Sequence, residues 1–183
     1  MARYSWFTAV FVGAAVVLTA CQTQGAEGNT VSESNDTLTQ TLVQGRIEEL
    51  LRRTVDGLPA GTMASKIVKD IAVNFLTCDE QPTGPSVRVM SSDQRWLMIP
   101  GGMPKAELMD AVAAIWSTAG WRVGRNDPRM VQPNVTAATG GYLLLLRFGG
   151  PNGDEPAVGV TSPCYLRSNS DNNVPFTDPI VHS

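Results

Sequence analysis

The chain has 183 residues, 43% of them hydrophobic and 17% charged, with 14 Lys+Arg against 17 Asp+Glu. A net charge of −3 lacks the basic footprint with which nucleic-acid binders neutralise phosphate, and it supplies no electrostatic pull toward an anionic membrane leaflet. One histidine and three cysteines leave little material for metal or thiolate chemistry.

Arg3 is the only charge before Cys21, and residues 6–18 form an uncharged apolar run. That is the length of a signal-peptide apolar region and too short for a spanning helix. Leu18-Thr19-Ala20-Cys21 closes the run with a Leu, two small residues and a Cys. These residues resemble the signal peptide and lipobox of a bacterial lipoprotein; an uncleaved N-terminal membrane helix is the alternative. The resemblance implies that the Cys21 thiol is diacylated, that residues 1–20 are removed, and that the new amine is acylated. Two or three acyl chains, at ~0.8 kcal/mol per buried methylene, anchor a domain durably. Removing residues 1–20 leaves 163 residues, with 13 Lys+Arg against 17 Asp+Glu. That is enough for one compact domain with tails.

Between Cys21 and residue 40 only Val31 and Leu38 are sizeable apolar groups, so residues 21–40 are expected to form a disordered tether. From residue 41, Val43, Ile47, Leu50, Leu51, Val55 and Leu58 recur at three- and four-residue steps, which predicts a helix ended by Gly57 and Pro59. Met63, Ile67, Ile71 and Phe75 keep a four-residue step. A helix is expected over 62–73, with a short strand leading to Cys78 as the alternative. Residues 79–85, with two prolines and a glycine, form a loop.

Strands are expected over 87–90 and 96–99, with the polar residues 91–94 as a bulge or hairpin turn. Pro104 opens a second amphipathic helix over 104–119, which carries Leu108, Val112, Ile115 and Trp116 on one stripe. Gly120 is placed to cap it in the left-handed conformation. Further strands are expected over 121–124, 129–137, 142–148 and 157–165. Apolar residues on both faces of 142–148 argue for a central strand covered by helices on at least one side. Residues 167–183 are rich in Ser, Asn, Asp and Pro and read as a loose tail.

The expected fold is therefore α+β, with one domain over residues 41–166. Two to three helices pack on a mostly antiparallel sheet of four to five strands. In an exported protein with Cys21 consumed by lipid, Cys78 and Cys164 are left as an oxidised pair. Two distant Cys and one His cannot make a tetrahedral metal site. The lipobox, Leu58-Pro59-Ala60-Gly61, Cys78-Asp79, the segment from Ile115 through Gly120-Trp121 to Val123, and Ser162-Pro163-Cys164 together resemble the small exported lipoproteins of actinobacteria, including mycobacteria. The resemblance implies the same disulfide, a helix-on-sheet layout and no catalytic residue. Such lipoproteins are also carried by temperate phages, so a prophage-encoded superinfection-exclusion lipoprotein is a further reading.

No catalytic constellation is visible. His182, the one histidine, lies second from the end, and no Ser-His relay, Ser-x-x-Lys pair, zinc helix or phosphate-binding glycine loop occurs. No cofactor or metal is implied. Asp79-Glu80 and Asp154-Glu155 are the carboxylate pairs on which a wall-degrading hydrolase would have to rest. Trp96 beside Arg95 is the candidate binding pair, suited to stacking on a sugar or on a partner's apolar group. The leading expectation is a non-enzymatic, membrane-attached module that binds an envelope protein or wall component.

Overall fold

The computed structural model describes residues 38–67, 74–78, 87–167 and 176–183. Cys21, the expected signal peptide, nearly all of the expected tether and Asp79-Glu80 lie outside them. In chain order the elements are α1 (Gln40–Asp56), β1 (Met63–Lys66), β2 (Asn74–Thr77), β3 (Arg88–Met98), α2 (Lys105–Thr118) and β4 (Arg122–Arg125). Then follow β5 (Asn134–Thr139), β6 (Tyr142–Gly149), β7 (Glu155–Thr161), β8 (Tyr165–Leu166) and β9 (Ile180–Val181).

Helix α1 buries the stripe read from its sequence, with Val43, Ile47, Leu50, Leu51 and Val55 fully buried. The Thr39 side chain caps its first turn by accepting the Leu42 N–H. At its end Gly57 does more than stop the helix. A Cβ there would lie 2.7 Å from Ile115 Cγ1, so the missing side chain lets α2 approach. Helix α2 starts one residue later than expected, with Pro104 as its N-cap, and closes in a Schellman motif. Gly120, at φ +78°, donates to Ser117 O, and Trp121 donates to Trp116 O. The Trp116 and Trp121 rings, 6.4 Å apart, supply the apolar contact that accompanies this cap.

The sheet is larger than expected. Among the described residues its nine strands run β4-β5-β6-β7-β3-β1-β9, with β2 and β8 also pairing with β3, and each of these pairings is antiparallel. Strand β3 is the spine, because its two halves pair with different neighbours on each edge. Residues 91–94, expected as a bulge or turn, instead continue the strand. Their polarity is compatible with this because the inward-facing groups find partners. Ser91 N–H donates to Ser162 Oγ, Ser91 Oγ bonds the Tyr165 hydroxyl, and Asp93 pairs with Arg95.

The expected helix over 62–73 is also corrected over its described part. Residues 63–66 are strand β1, paired with β3 through Met63↔Met98 to Lys66↔Arg95. Residues 68–73 lie outside the described residues. The loose-tail reading of 167–183 does not hold for its last eight residues, where Ile180 pairs with Ala64 and both Ile180 and Phe176 are buried. Both helices cover one face of the sheet, against Val89, Leu97, Val135, Leu144, Leu146, Val158 and Val160. The opposite face carries no helix among the described residues.

Candidate functional site

The uncovered face is defined by register. The turn Gly140-Gly141, with φ of +52° and +80°, joins β5 to β6 as a two-residue hairpin and sets Thr139 opposite Tyr142. From there, three rows of side chains cross the open face. Arg122, Ala138, Leu143, Thr161 and Ser92 form the first. Gly124, Thr136, Leu145, Gly159 and Gln94 form the second, and Asn134, Arg147, Ala157 and Trp96 the third. Alternation along β6 shows the two faces: Leu144 is 1% exposed and Leu143 is 60% exposed.

A trough of about 280 Å³ lies across these rows. Its floor is β7, where Ala157 and Gly159 present almost nothing. Its walls are Leu143 and Leu145 on β6 and Ser92 and Gln94 on β3. Gly159 keeps the floor open: a Cβ there would sit 3.0 Å from Gln94 Cγ and 3.4 Å from the Asp93 carbonyl oxygen. At one end Arg147 donates from Nη2 to Gln94 Oε1 at 2.7 Å. No carboxylate among the described residues pairs with its guanidinium. At the other end the hydroxyls of Ser92 and Thr161 bond each other at 3.3 Å. Beyond Leu143 the face opens into a broader, shallower basin of about 450 Å³ that holds Arg122 and the Gly140-Gly141 turn.

The structure separates the expected binding pair. Trp96 lies half-buried on the open face, its ring edge close enough that a Cβ on Gly149 would be 3.3 Å away, while Ala157 in the adjacent register position is buried. Arg95 points the other way and is fully buried, as strand alternation requires. It donates Nε and Nη2 to Asp93 Oδ2 at 2.8 and 2.6 Å, and lies 3.7 Å from Asp178. Burial pushes the Asp93 carboxyl above its ordinary range against the opposing pull of Arg95 and, more weakly, Lys66. Arg95 is therefore part of an interior ion pair and cannot contact a ligand on the open face.

Cys78 and Cys164 are bonded to each other, with their Cα atoms 6.2 Å apart. Asp154 pairs with Lys105 Nζ at 3.1 Å, and Glu155 lies against Gly150. Neither lines the trough. The His182 backbone N–H donates to Thr62 O, which holds the end of the chain in the fold. Among the described residues no cluster of three or more His, Cys, Asp or Glu could hold a metal ion, and no helix is long and apolar enough to cross a membrane. Leu143, Leu145, Arg147 and Gly159 were not singled out from sequence as a site. The available signal was the Gly140-Gly141 hairpin, which determines the face on which each of the first two falls.

No protein-family model matches the chain, and no curated protein matches it. Among solved structures it is similar to a protein described as a lipoprotein, LppA from Mycobacterium tuberculosis. That pair is 16% identical with a TM-score of 0.42, covering 68% of this chain and 82% of the other. The likeness is loose.

Proposed function

We propose that this protein is a lipid-anchored cell-envelope module, held by acyl chains on Cys21 at the extracytoplasmic side of the membrane, whose open sheet face binds an envelope component. The anchor rests on Leu18-Thr19-Ala20-Cys21 and the uncharged run before it. The Cys78–Cys164 bond suits an oxidising compartment. The observation that carries the binding role is the trough, an apolar depression with a few polar groups at its ends, which is the usual construction of a ligand site. Leu143, exposed on its wall, adds apolar area that leaves water when the trough is filled.

The test is membrane proximity labelling in the native host, comparing wild type with Cys21→Ala and with Leu143→Glu. Mass analysis of the Cys21 peptide accompanies it. Acyl mass on Cys21, neighbours altered by Cys21→Ala and neighbours lost in Leu143→Glu are expected. An unmodified Cys21, or a neighbour set indifferent to both substitutions, would overturn the reading.

A further inference from the structure

Resting on that reading, we propose that the trough takes the hydrocarbon tail of an anionic amphiphile, with Arg147 holding its carboxylate or phosphate head. The shape points to a tail. From Ala157 to Thr161 the floor strand runs four residue steps, about 13 Å, while the walls on β6 and β3 stand two strand spacings apart, roughly 9.5 Å. The depression is a slot along one strand, floored by backbone and small residues and walled by leucines on one side. At about 280 Å³ it sits near the lower end of ligand-pocket sizes, which suits a single chain better than a bulky ring system.

The head follows from charge. Ion pairs engage Arg46, Arg53, Arg95, Arg125 and Arg129; of the arginines without a carboxylate partner among the described residues, Arg147 is the one that lines the trough. Arg147 stands on the exposed rim with one neutral acceptor, the Gln94 amide oxygen, which orients the guanidinium without cancelling its charge. A planar fork so held favours an oxyanion with two adjacent oxygens, and carboxylate and phosphate share that chemistry. Its exposure leaves the head hydrated while the tail leaves water, which is the division an amphiphile requires. A neutral sugar would gain less from the charge than an oxyanion and would leave the leucine wall bare.

The experiment uses the protein as its host processes it, acylated at Cys21, in phosphatidylcholine nanodiscs. Three diazirine-bearing probes of equal chain length are compared: a fatty acid, a monoalkyl phosphate and a fatty alcohol. Cross-links are mapped by mass spectrometry. The acid, the phosphate or both should label peptides containing Leu143, Leu145 or Gly159, about tenfold more strongly than the alcohol. The stronger of the two names the source of the head. Arg147→Gln, on the exposed rim, should abolish the preference over alcohol. Gly159→Leu should block labelling by all three, with its urea midpoint confirming that it folds. Equal labelling by the alcohol, labelling confined to other surfaces, or indifference to Arg147→Gln each overturns the proposal. If the probes avoid the trough while Leu143→Glu still changes the neighbours in the host, the amphiphile is wrong and the binding face stands. If both fail, the face is not a binding surface.

Discussion

Arg95 and Asp93 sit two positions apart on the inner face of β3, one guanidinium donating twice to a single carboxylate oxygen, with neither side chain more than 5% exposed. A buried pair of this kind adds little over well-packed apolar residues, yet breaking it is costly because the survivor keeps its charge out of water. Arg95→Met is therefore expected to lose about 3–5 kcal/mol at neutral pH, and Asp93→Leu combined with Arg95→Met to recover most of that. The pH dependence has a definite sign. Asp93 has a raised pKa in the fold, so its contribution is full below the unfolded value and declines as pH rises through the folded one. Removing Arg95 removes the main opposing pull, extends that decline to higher pH, and makes the cost of Arg95→Met shrink in acid. Urea midpoints of the three proteins at acid and neutral pH measure both effects.

Trp116 ties the two helices together through a relay. Its indole N–H donates to Thr54 Oγ at 2.9 Å, and Thr54 in turn donates to the Leu50 carbonyl at 2.9 Å. Both residues are fully buried. Thr54→Val keeps the shape and strands the indole N–H, at an expected cost of about 1–3 kcal/mol. Trp116→Phe leaves the Thr54 hydroxyl its backbone acceptor but opens a void, so packing loss should dominate there. A double-mutant cycle isolates the hydrogen bond. Additive losses would mean that it contributes nothing.

The disulfide joins the residue after β2 to the residue before β8, across a sequence separation of 86. Closing a loop that long removes on the order of 4–5 kcal/mol of denatured-chain entropy in the simple treatment. The flanking backbone is already pinned, since Cys78 N–H donates to Arg88 O and Ser162 N–H donates to Ser91 O. Replacing both cysteines by serine should therefore lower the urea midpoint substantially and leave the native amide spectrum of β3 in place. A thiol titration of the unfolded wild type that finds free thiols at Cys78 and Cys164 would count against the oxidised pair.

What could be read from the sequence was what is local. The stripes of α1 and α2, the Gly120 cap and the core of β6 follow from spacing within one element. Strands β1 and β9 were not legible, because β1 is fixed by its pairing with β3 and β9 by its pairing with β1, where Ala64 meets Ile180 from the far end of the chain. Met63 and Ile67 also happen to repeat at a helical step. Ser91–Gln94 looked like a turn because its polar residues are satisfied by Arg95 in the same strand and by distant Thr161, Ser162, Tyr165 and Arg147, and no periodicity announces that. The trough was invisible for a related reason. Gly159 matters only because register sets it between Leu145 and Gln94. Arg95 and Trp96 were paired as neighbours in sequence, although adjacent residues in a strand face opposite sides.

The chain end is the last consequence of that long-range pairing. Three carboxylates hold it: Glu48 accepts the Thr177 N–H and hydroxyl, Asp178 accepts the Lys66 N–H, and Asp56 accepts the Ser183 N–H and hydroxyl. Beneath them Phe176 and Ile180 are buried against the core. The apolar anchors should outweigh the exposed hydrogen bonds. Ile180→Ala is expected to cost about 2–5 kcal/mol, and Glu48→Gln about 1 kcal/mol, since water competes for those contacts. Truncation after residue 175 should cost more than either, because it also removes the β1–β9 pairing. Hydrogen exchange localises the effect. The amides of residues 62–66 should lose protection on truncation, while those of β5 and β6, on the far side of β7, should keep theirs. A truncated chain with an unchanged midpoint would show that residues 176–183 contribute nothing to the fold.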